Sequence, residues 1–300
     1  MDYPFGVIAK VRRWQALGAD GFYDVRGRRV SGDLHANSLA CRAALLNPAT
    51  DPHSFLRSVA QRWYGPAAAP LVMSAWQALE RGQAIRSNGY NFPSSSALSE
   101  YVSWHIAYSK LRLPLPTNPN FTAKLDTQSA PGGGEYAPAP ANGWIYHEGD
   151  YPQLLATTGQ SLVDAAECFR DAGQRLGESL GQSLPDSIPD AALWLGEGVS
   201  ATPSEYLRQL RAYVETLQNF DALMGCHFLL KSLYMRVDGN PDAYRKQGGP
   251  RLAAYAKAAR SLADYIDQLN REKMLTGPIP KDWSSDVLRG LAKEVEAWLS

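Results

Sequence analysis

Apolar residues in the first 110 positions recur every three or four residues, which is the spacing of one face of an α-helix. The pattern predicts helices over residues 7–17, 39–46, 55–64, 67–85 and 96–110. Gly18 is placed to end the first helix in a left-handed conformation, and Asn37 or Ser38 is placed to cap the second. Gly65-Pro66 separates the third helix from the fourth, because neither residue continues a helix well.

The second half of the chain has the same helical spacing. It predicts helices over 151–182, 189–198, 203–236, 241–270 and 282–299. Short turns between long helices favour antiparallel neighbours, so we expect an up-and-down bundle. Residues 111–150 differ, because they are rich in proline and glycine and have few apolar runs. A segment of this length and composition is typical of a linker or a long surface loop.

One short segment departs from the helical pattern. Residues 19–25 contain Phe22, Tyr23 and Val25 and predict a buried β-strand between the first two helices. A lone strand leaves backbone donors and acceptors unpaired along both edges. We therefore expect this strand to pair within a larger α/β protein or with a partner chain.

The charge balance narrows the classes of partner. Thirty basic and thirty acidic residues cancel, so no overall field attracts nucleic acid or an anionic membrane. We therefore expect neither nucleic acid nor a membrane as a partner. The chain also lacks the run of about 18 apolar residues that a transmembrane helix needs.

The cysteines and the N-terminus carry little functional signal. Cys41, Cys168 and Cys226 are far apart, with no Cys-x-x-Cys spacing, so neither a zinc site nor a redox pair is indicated. The histidines form no metal-binding motif, and we expect no metal and no cofactor. Residues 1–6 do not resemble a secretion signal, so a cytoplasmic location is the default expectation.

The order of elements around the strand resembles the closing βα unit of a TIM barrel. The residues after it resemble a junction in large bacterial glycoside hydrolases, where a catalytic barrel is followed by a helical domain. The likeness covers residues 5–85. The residues that carry it are Asn47-Pro48, Asp51-Pro52, Phe55-Leu56, Arg62-Trp63-Tyr64-Gly65-Pro66 and Ala75-Trp76.

This resemblance implies a mainly α chain, with helical bundle domains preceded by a remnant helix–strand–helix unit of a (β/α)8 barrel. The domains expected are a closing barrel unit at 1–50, a helical subdomain at 51–110, a linker or long loop at 111–150, and a C-terminal bundle at 151–300. The chain would be the C-terminal region of a glycoside hydrolase, with its helices supporting or capping the barrel site. It would be inactive alone, because the catalytic carboxylates of such enzymes lie on other strands.

Two other functions stay open at this stage. The chain could be a non-enzymatic helical interaction or scaffold protein, whose N-terminal strand pairs with a barrel-containing partner segment or within a homo-oligomer. It could also be a stand-alone helical enzyme that uses the cluster of polar and aromatic residues at 144–150.

Four candidate substrate-binding residues follow from the predicted strand. Barrel active sites lie at the C-terminal ends of strands, which here means Tyr23 and Asp24, followed by His35 and Asn37 in the next loop. A carboxylate, an imidazole and an amide can each hydrogen-bond to sugar hydroxyls. A structural alternative is that Asp24 pairs with a neighbouring strand and Asn37 is a plain helix cap.

Aromatic residues give a second set of candidates for a carbohydrate partner, because sugar C–H faces stack on Trp and Tyr rings. Trp144 and Tyr146 lie in the predicted loop, close to Glu148, and loops are where binding residues concentrate. The tryptophans at helical spacing are instead expected in the core, and they are Trp63, Trp76, Trp104, Trp194 and Trp283. His227 is expected in the core as well, because its neighbours are apolar.

Overall fold

The computed structural model describes residues 4–19, 36–88, 151–188, 202–272 and 285–300. Within these ranges the chain is mainly helical, with seven helices and no strand. The helices are α1 (Pro4–Ala16), α2 (Ala36–Leu46), α3 (Pro52–Asn88), α4 (Tyr151–Leu180), α5 (Pro203–Arg236), α6 (Pro241–Arg271) and α7 (Ser285–Leu299). The predicted helical character is therefore confirmed. The predicted strand at 19–25 and the predicted helices at 96–110 and 189–198 lie almost wholly outside the described residues.

The chain divides into two compact units. Unit 1 comprises Met1–Gly82 and Cys168–Glu215, and unit 2 comprises Gln83–Glu167 and Thr216–Ser300. The boundaries fall inside α3, α4 and α5 rather than in loops. The domain limits predicted near residues 50, 110 and 150 stay predictions.

In unit 1, α1 ends as its sequence predicts. Gly18 has φ +80°, its N–H donates to the carbonyl of Gln15, and the N–H of Ala19 donates to the carbonyl of Trp14. These two hydrogen bonds are those of a Schellman motif, in which glycine takes the left-handed position at little steric cost. The predicted role of Gly18 is therefore confirmed.

Helices α1 and α2 pack against each other. Gln15 Nε2 donates to the carbonyl of Ala44 at 3.5 Å, which brings the C-terminal ends of the two helices together. The face of α2 that is fully buried consists of Ala36, Ala40 and Ala44, one residue per turn. Small side chains on such a face allow neighbouring helices to approach closely. Leu17 and Leu46, by contrast, are exposed at the C-terminal ends of the pair.

Helix α2 begins at Ala36, before both of the residues predicted to cap it. Its first helical residue is Ala36, so Asn37 and Ser38 lie inside the first turn. Neither residue is then the N-cap, which is the residue that precedes the first helical position. The capping role expected for Asn37 or Ser38 is therefore wrong. Both residues still take part in other interactions.

Helix α3 is two helical segments joined at Gly65, as the sequence predicts. Gly65 has φ +80° and ψ 165°, outside the helical region, and Pro66 starts the second segment. Tyr64 directly precedes this break and Trp76 lies in the second segment, and both side chains are fully buried. Tyr64 makes an edge contact with Trp76 at 6.5 Å between ring centroids and stacks on Tyr206 at 6.3 Å. The break thus lies beside the aromatic part of the core of unit 1.

In unit 2, α5, α6 and α7 pack around a core of leucine, phenylalanine, tyrosine and alanine. Helices α5 and α6 are joined by a tight turn in which Asp238 and Gly239 both have positive φ. Asn240 then caps α6, its side chain accepting a hydrogen bond from the Ala243 N–H at 3.0 Å. The antiparallel arrangement of α6 and α7 follows from contacts at both ends, because Arg245 reaches the carbonyl of Leu299 and Arg289 reaches Asp264.

Helices α4 and α5 cross in unit 2 at a pair of glycines. A Cβ atom on Gly159 would lie 2.8 Å from the carbonyl oxygen of Gly225, and one on Gly225 would lie 2.8 Å from that of Gly159. Two backbones this close leave no room for a side chain on either residue. Near the start of α4, Ser232 Oγ donates to the carbonyl of Pro152 at 2.6 Å. The two helices are therefore antiparallel and in direct backbone contact.

Candidate functional site

Most of the predicted site residues lie outside the described residues: Tyr23, Asp24, His35, Trp144, Tyr146 and Glu148. The seventh, Asn37, lies half-buried in the first turn of α2. Its predicted contact with a carbohydrate therefore stays a prediction, as do those of the other six. Of the tryptophans expected in the core, Trp63 and Trp76 are buried as predicted. The other three lie outside the described ranges.

The polar chemistry of the described residues is concentrated in unit 2, where five buried polar side chains lie along the length of α5. Polar side chains at intervals on this helix have almost no solvent exposure, although α5 packs mainly through apolar residues. Buried polar groups are costly unless they find partners, so such a row is the part of the fold with the most chemistry to explain. We call it the polar row, and its members are Thr216, Asp221, His227, Lys231 and Ser232.

Asp221 is the member of the polar row that most needs a partner, because it is a buried acidic side chain. Its side chain is fully buried, and its carboxylate Oδ2 lies 3.1 Å from Nε of Arg86, whose side chain is 11% exposed. Neither carboxylate oxygen of Asp221 has a hydrogen bond, because the approach of Nε is poorly aligned. Arg86 belongs to the last turn of α3, so the pair joins the end of that helix to the middle of α5.

Burial and Arg86 act on Asp221 in opposite directions. Loss of solvent raises the pKa of Asp221, and the positive charge of Arg86 lowers it, with a net rise from 3.8 to about 6. Desolvation wins because an ionised carboxylate without hydrogen-bond donors is poorly stabilised in the interior. Asp221 is therefore a buried carboxyl group whose pKa lies well above the usual range of an aspartate.

A second group of ionisable side chains lies where α5 meets α6. The ring of His227, which is fully buried as predicted, lies 6.3 Å from the ring of Tyr255. Burial raises the pKa of the Tyr255 hydroxyl, with smaller contributions from Tyr244 and Glu294. Burial also raises the pKa of the Cys226 thiol, against an opposing effect of Arg251. Both groups are thus uncharged at neutral pH, and a neutral thiol is a poor nucleophile.

Metal and disulfide chemistry find no support in the part of the chain that the structure describes. No cluster of three His, Cys, Asp or Glu side chains there is arranged to hold a metal ion. Cys41, Cys168 and Cys226 are half-buried, and none of them is in a disulfide. No described helix is long and apolar enough to cross a bilayer.

Sequence reasoning missed the Arg86–Asp221 pair, although one signal was present. Asp221 falls on the face of α5 that carries Leu217 and Phe228, four positions before and seven after it. An acidic residue on an apolar face, without a basic residue one turn away, needs a partner from another helix. The identity of that partner does not follow from the helical pattern, because Arg86 is far away along the chain.

Comparison with protein-family models, with curated proteins and with solved structures finds no match.

Proposed function

We propose that this chain corresponds to the C-terminal region of a carbohydrate-active enzyme of the glycoside hydrolase class. In this proposal α1 and α2 flank the last strand of a catalytic barrel, and the remaining helices support or cap the barrel site. Carbohydrate would be the ligand, bound in part by Tyr23 and Asp24 at the end of that strand.

The observation that supports this proposal is the packing of α1 against α2 with their C-terminal ends adjacent, which is the arrangement of two neighbouring helices that run in the same direction. Successive outer helices of a barrel run in the same direction, because a strand returns the chain between them. Helix α1 has 13 residues and so is about 20 Å long. Seven extended residues, the length predicted for the strand at 19–25, span about 23 Å. The predicted strand is therefore long enough to connect two parallel helices of this size.

The proposal is tested by glycan binding. The chain is screened against an oligosaccharide array, and positives are titrated by calorimetry with the wild type, Tyr23→Ala and Asp24→Asn. We expect each variant to bind at least about tenfold more weakly, which corresponds to the loss of about 1.4 kcal/mol. Asp186→Asn is the matched control, because Asp186 is exposed on the segment after α4. Absence of binding to every glycan, or equal loss in the control, would contradict the proposal.

A second candidate function, a helical interaction protein, is supported by the exposed leucines of unit 1. Leu17 and Leu46 are 76% and 74% exposed, and they lie at the adjacent C-terminal ends of α1 and α2. Exposed apolar side chains of this kind are common at protein interfaces. If a homo-oligomer forms there, light scattering gives a mass above 32.9 kDa for the wild type. The double variant Leu17→Ser/Leu46→Ser is then expected at the monomer mass.

A further inference from the structure

The environment of Asp221 leaves its negative charge poorly compensated. The side chain has no solvent exposure, neither oxygen receives a hydrogen bond, and Arg86 Nε is 3.1 Å from Oδ2 without good alignment. A buried carboxylate normally accepts several hydrogen bonds or binds its counter-ion in a bidentate manner. Asp221 does neither, so its ionised form depends on a single misaligned partner.

The surroundings of Asp221 offer no other ionic partner among the described residues. Arg86 is the charged group that acts on it. On α4, the residues that contact the backbone of α5 at Gly225, about one turn from Asp221, are Gly159 and Val163, and neither ionises. On α5 itself, His227 is six positions away, about 9 Å along the helix axis, and Lys231 is further still. The charge of Asp221 and the position of Arg86 are therefore directly linked.

The position of Arg86 near a helix end allows its side chain to move away from Asp221 into solvent. It lies in the last turn of α3, two residues before the helix ends at Asn88, and its side chain is already 11% exposed. Helix ends fray more easily than helix interiors, because their last carbonyls lack intrahelical donors. A guanidinium that has lost its counter-ion is costly to bury, whereas the same group in water is not.

We propose that the Arg86–Asp221 pair is a proton-operated latch that attaches the last turn of α3, residues 83–88, to α5. When Asp221 is ionised, the pair holds this turn against α5. When Asp221 takes up a proton, Arg86 moves into solvent and the turn detaches. The same burial that raises the pKa of Asp221 to about 6 places this change between pH 5 and pH 7. The latch does not depend on the carbohydrate proposal.

Backbone hydrogen exchange by NMR tests the latch on the whole chain. Protection factors of the amides of residues 83–88, corrected for intrinsic exchange, are measured between pH 5 and pH 8. We expect them to fall at least tenfold from pH 7.5 to pH 5, with a midpoint near pH 6. Asp221→Asn should show the low protection at both pH values. Constant wild-type protection, or a pH-dependent Asp221→Asn variant, would overturn the proposal.

A matched control separates the latch from a general effect of acid on ion pairs. Arg81 on the same helix pairs with Asp171 at 3.3 Å, but both side chains are exposed, at 58% and 41%. Asp171→Asn should therefore keep the wild-type pH profile at residues 83–88. If Asp221→Asn fails to fold, the carboxyl carbon resonance of Asp221 is followed instead, in the wild type and in Arg86→Met. The expected midpoint is near pH 6 in the wild type and higher in Arg86→Met; a wild-type midpoint below pH 5 would refute the latch.

Discussion

Two helix pairs of unit 2 are held together in opposite ways. Helices α4 and α5 meet at Gly159 and Gly225, where the two backbones are in contact and no side chain intervenes. Helices α6 and α7 instead bury leucine and alanine between them and are bridged at the surface by arginine pairs, such as Arg289 with Asp264 and Asp267. The contact between α4 and α5 requires that Gly159 and Gly225 have no side chain, whereas the bridges between α6 and α7 are made by flexible charged side chains. Adding or removing a small group should therefore have very different effects on stability in the two places.

The largest expected effect is at the glycine crossing. In Gly225→Ala the new methyl group would lie 2.8 Å from the carbonyl oxygen of Gly159 and 2.8 Å from Val163 Cγ2. Separating the helices to relieve this overlap should lower the free energy of unfolding by about 2–3 kcal/mol, even though alanine favours a helix. Urea denaturation followed by circular dichroism measures the change.

Gly290→Ala is the control for this prediction. Gly290 lies in α7, and a Cβ atom there would have no atom within 4 Å. The substitution should raise the free energy of unfolding by about 0.4–1 kcal/mol, because alanine loses less backbone entropy on folding. Equal effects of Gly225→Ala and Gly290→Ala would show that the backbone contact between α4 and α5 does not limit packing.

The second effect concerns the charge buried in the interior of unit 2. The pKa of Asp221 rises from 3.8 to about 6 on folding, so the folded chain binds its proton more tightly than the unfolded chain. This contribution to stability is complete below pH 3.8 and is lost as the pH rises through 6, a change of roughly 3 kcal/mol. The free energy of unfolding of the wild type should therefore fall relative to that of Asp221→Asn as the pH is raised from 4 to 8. Parallel curves for the two proteins would contradict it.

A smaller effect is expected where α5 contacts the start of α4. Ser232→Ala removes the donor to the carbonyl of Pro152, and Ser232 is 2% exposed. Loss of one buried hydrogen bond should lower the free energy of unfolding by about 1 kcal/mol. Ser300→Ala also removes a hydroxyl that donates to a carbonyl, that of Ala297, but at an exposed position. The control should leave stability unchanged within error.

The smallest effect is expected at the surface bridge between α6 and α7. Arg289→Ala removes the contacts to Asp264 and Asp267, but Arg289 is a third exposed and Asp264 is 72% exposed. Solvent and salt screen such pairs, so stability should change less than in any interior variant. Thermal unfolding at low and high salt measures this: the small difference from wild type should disappear at 1 M salt. A difference that persists at high salt would show that the bridge acts through packing.

The helices were predictable because their signals are local. Helix α5 was predicted over 203–236 and runs from Pro203 to Arg236, and the breaks at Gly18 and Gly65 appear where glycine allows a positive φ. The partner of Asp221 was not predictable, because it comes from a helix distant in sequence. Neither was the contact of Gly159 with Gly225, since a helical glycine looks the same in sequence whether its neighbour is solvent or another backbone.

Among the candidate site and core residues, too, the confirmed predictions are those with local sequence signals, whereas the partner from a distant part of the chain was missed. His227 and Trp76 were expected in the core from the apolar residues around them, and both are fully buried. The wrong cap at Asn37 shows the limit of local signals, because several polar residues near a helix start can serve as its cap. The carbohydrate-binding residues were inferred from a predicted strand, and their test is therefore the binding experiment and not the helical packing.

The contact between Gly159 and Gly225 also has a meaning for how this sequence can change over time. A leucine of the core can be exchanged for isoleucine or methionine with modest repacking, so core composition drifts. Neither glycine has that freedom unless the two helices move apart together. In distant relatives that keep this crossing, glycine at both positions is therefore expected to outlast the surrounding apolar residues, and the pair can serve as a fingerprint by which such relatives are found.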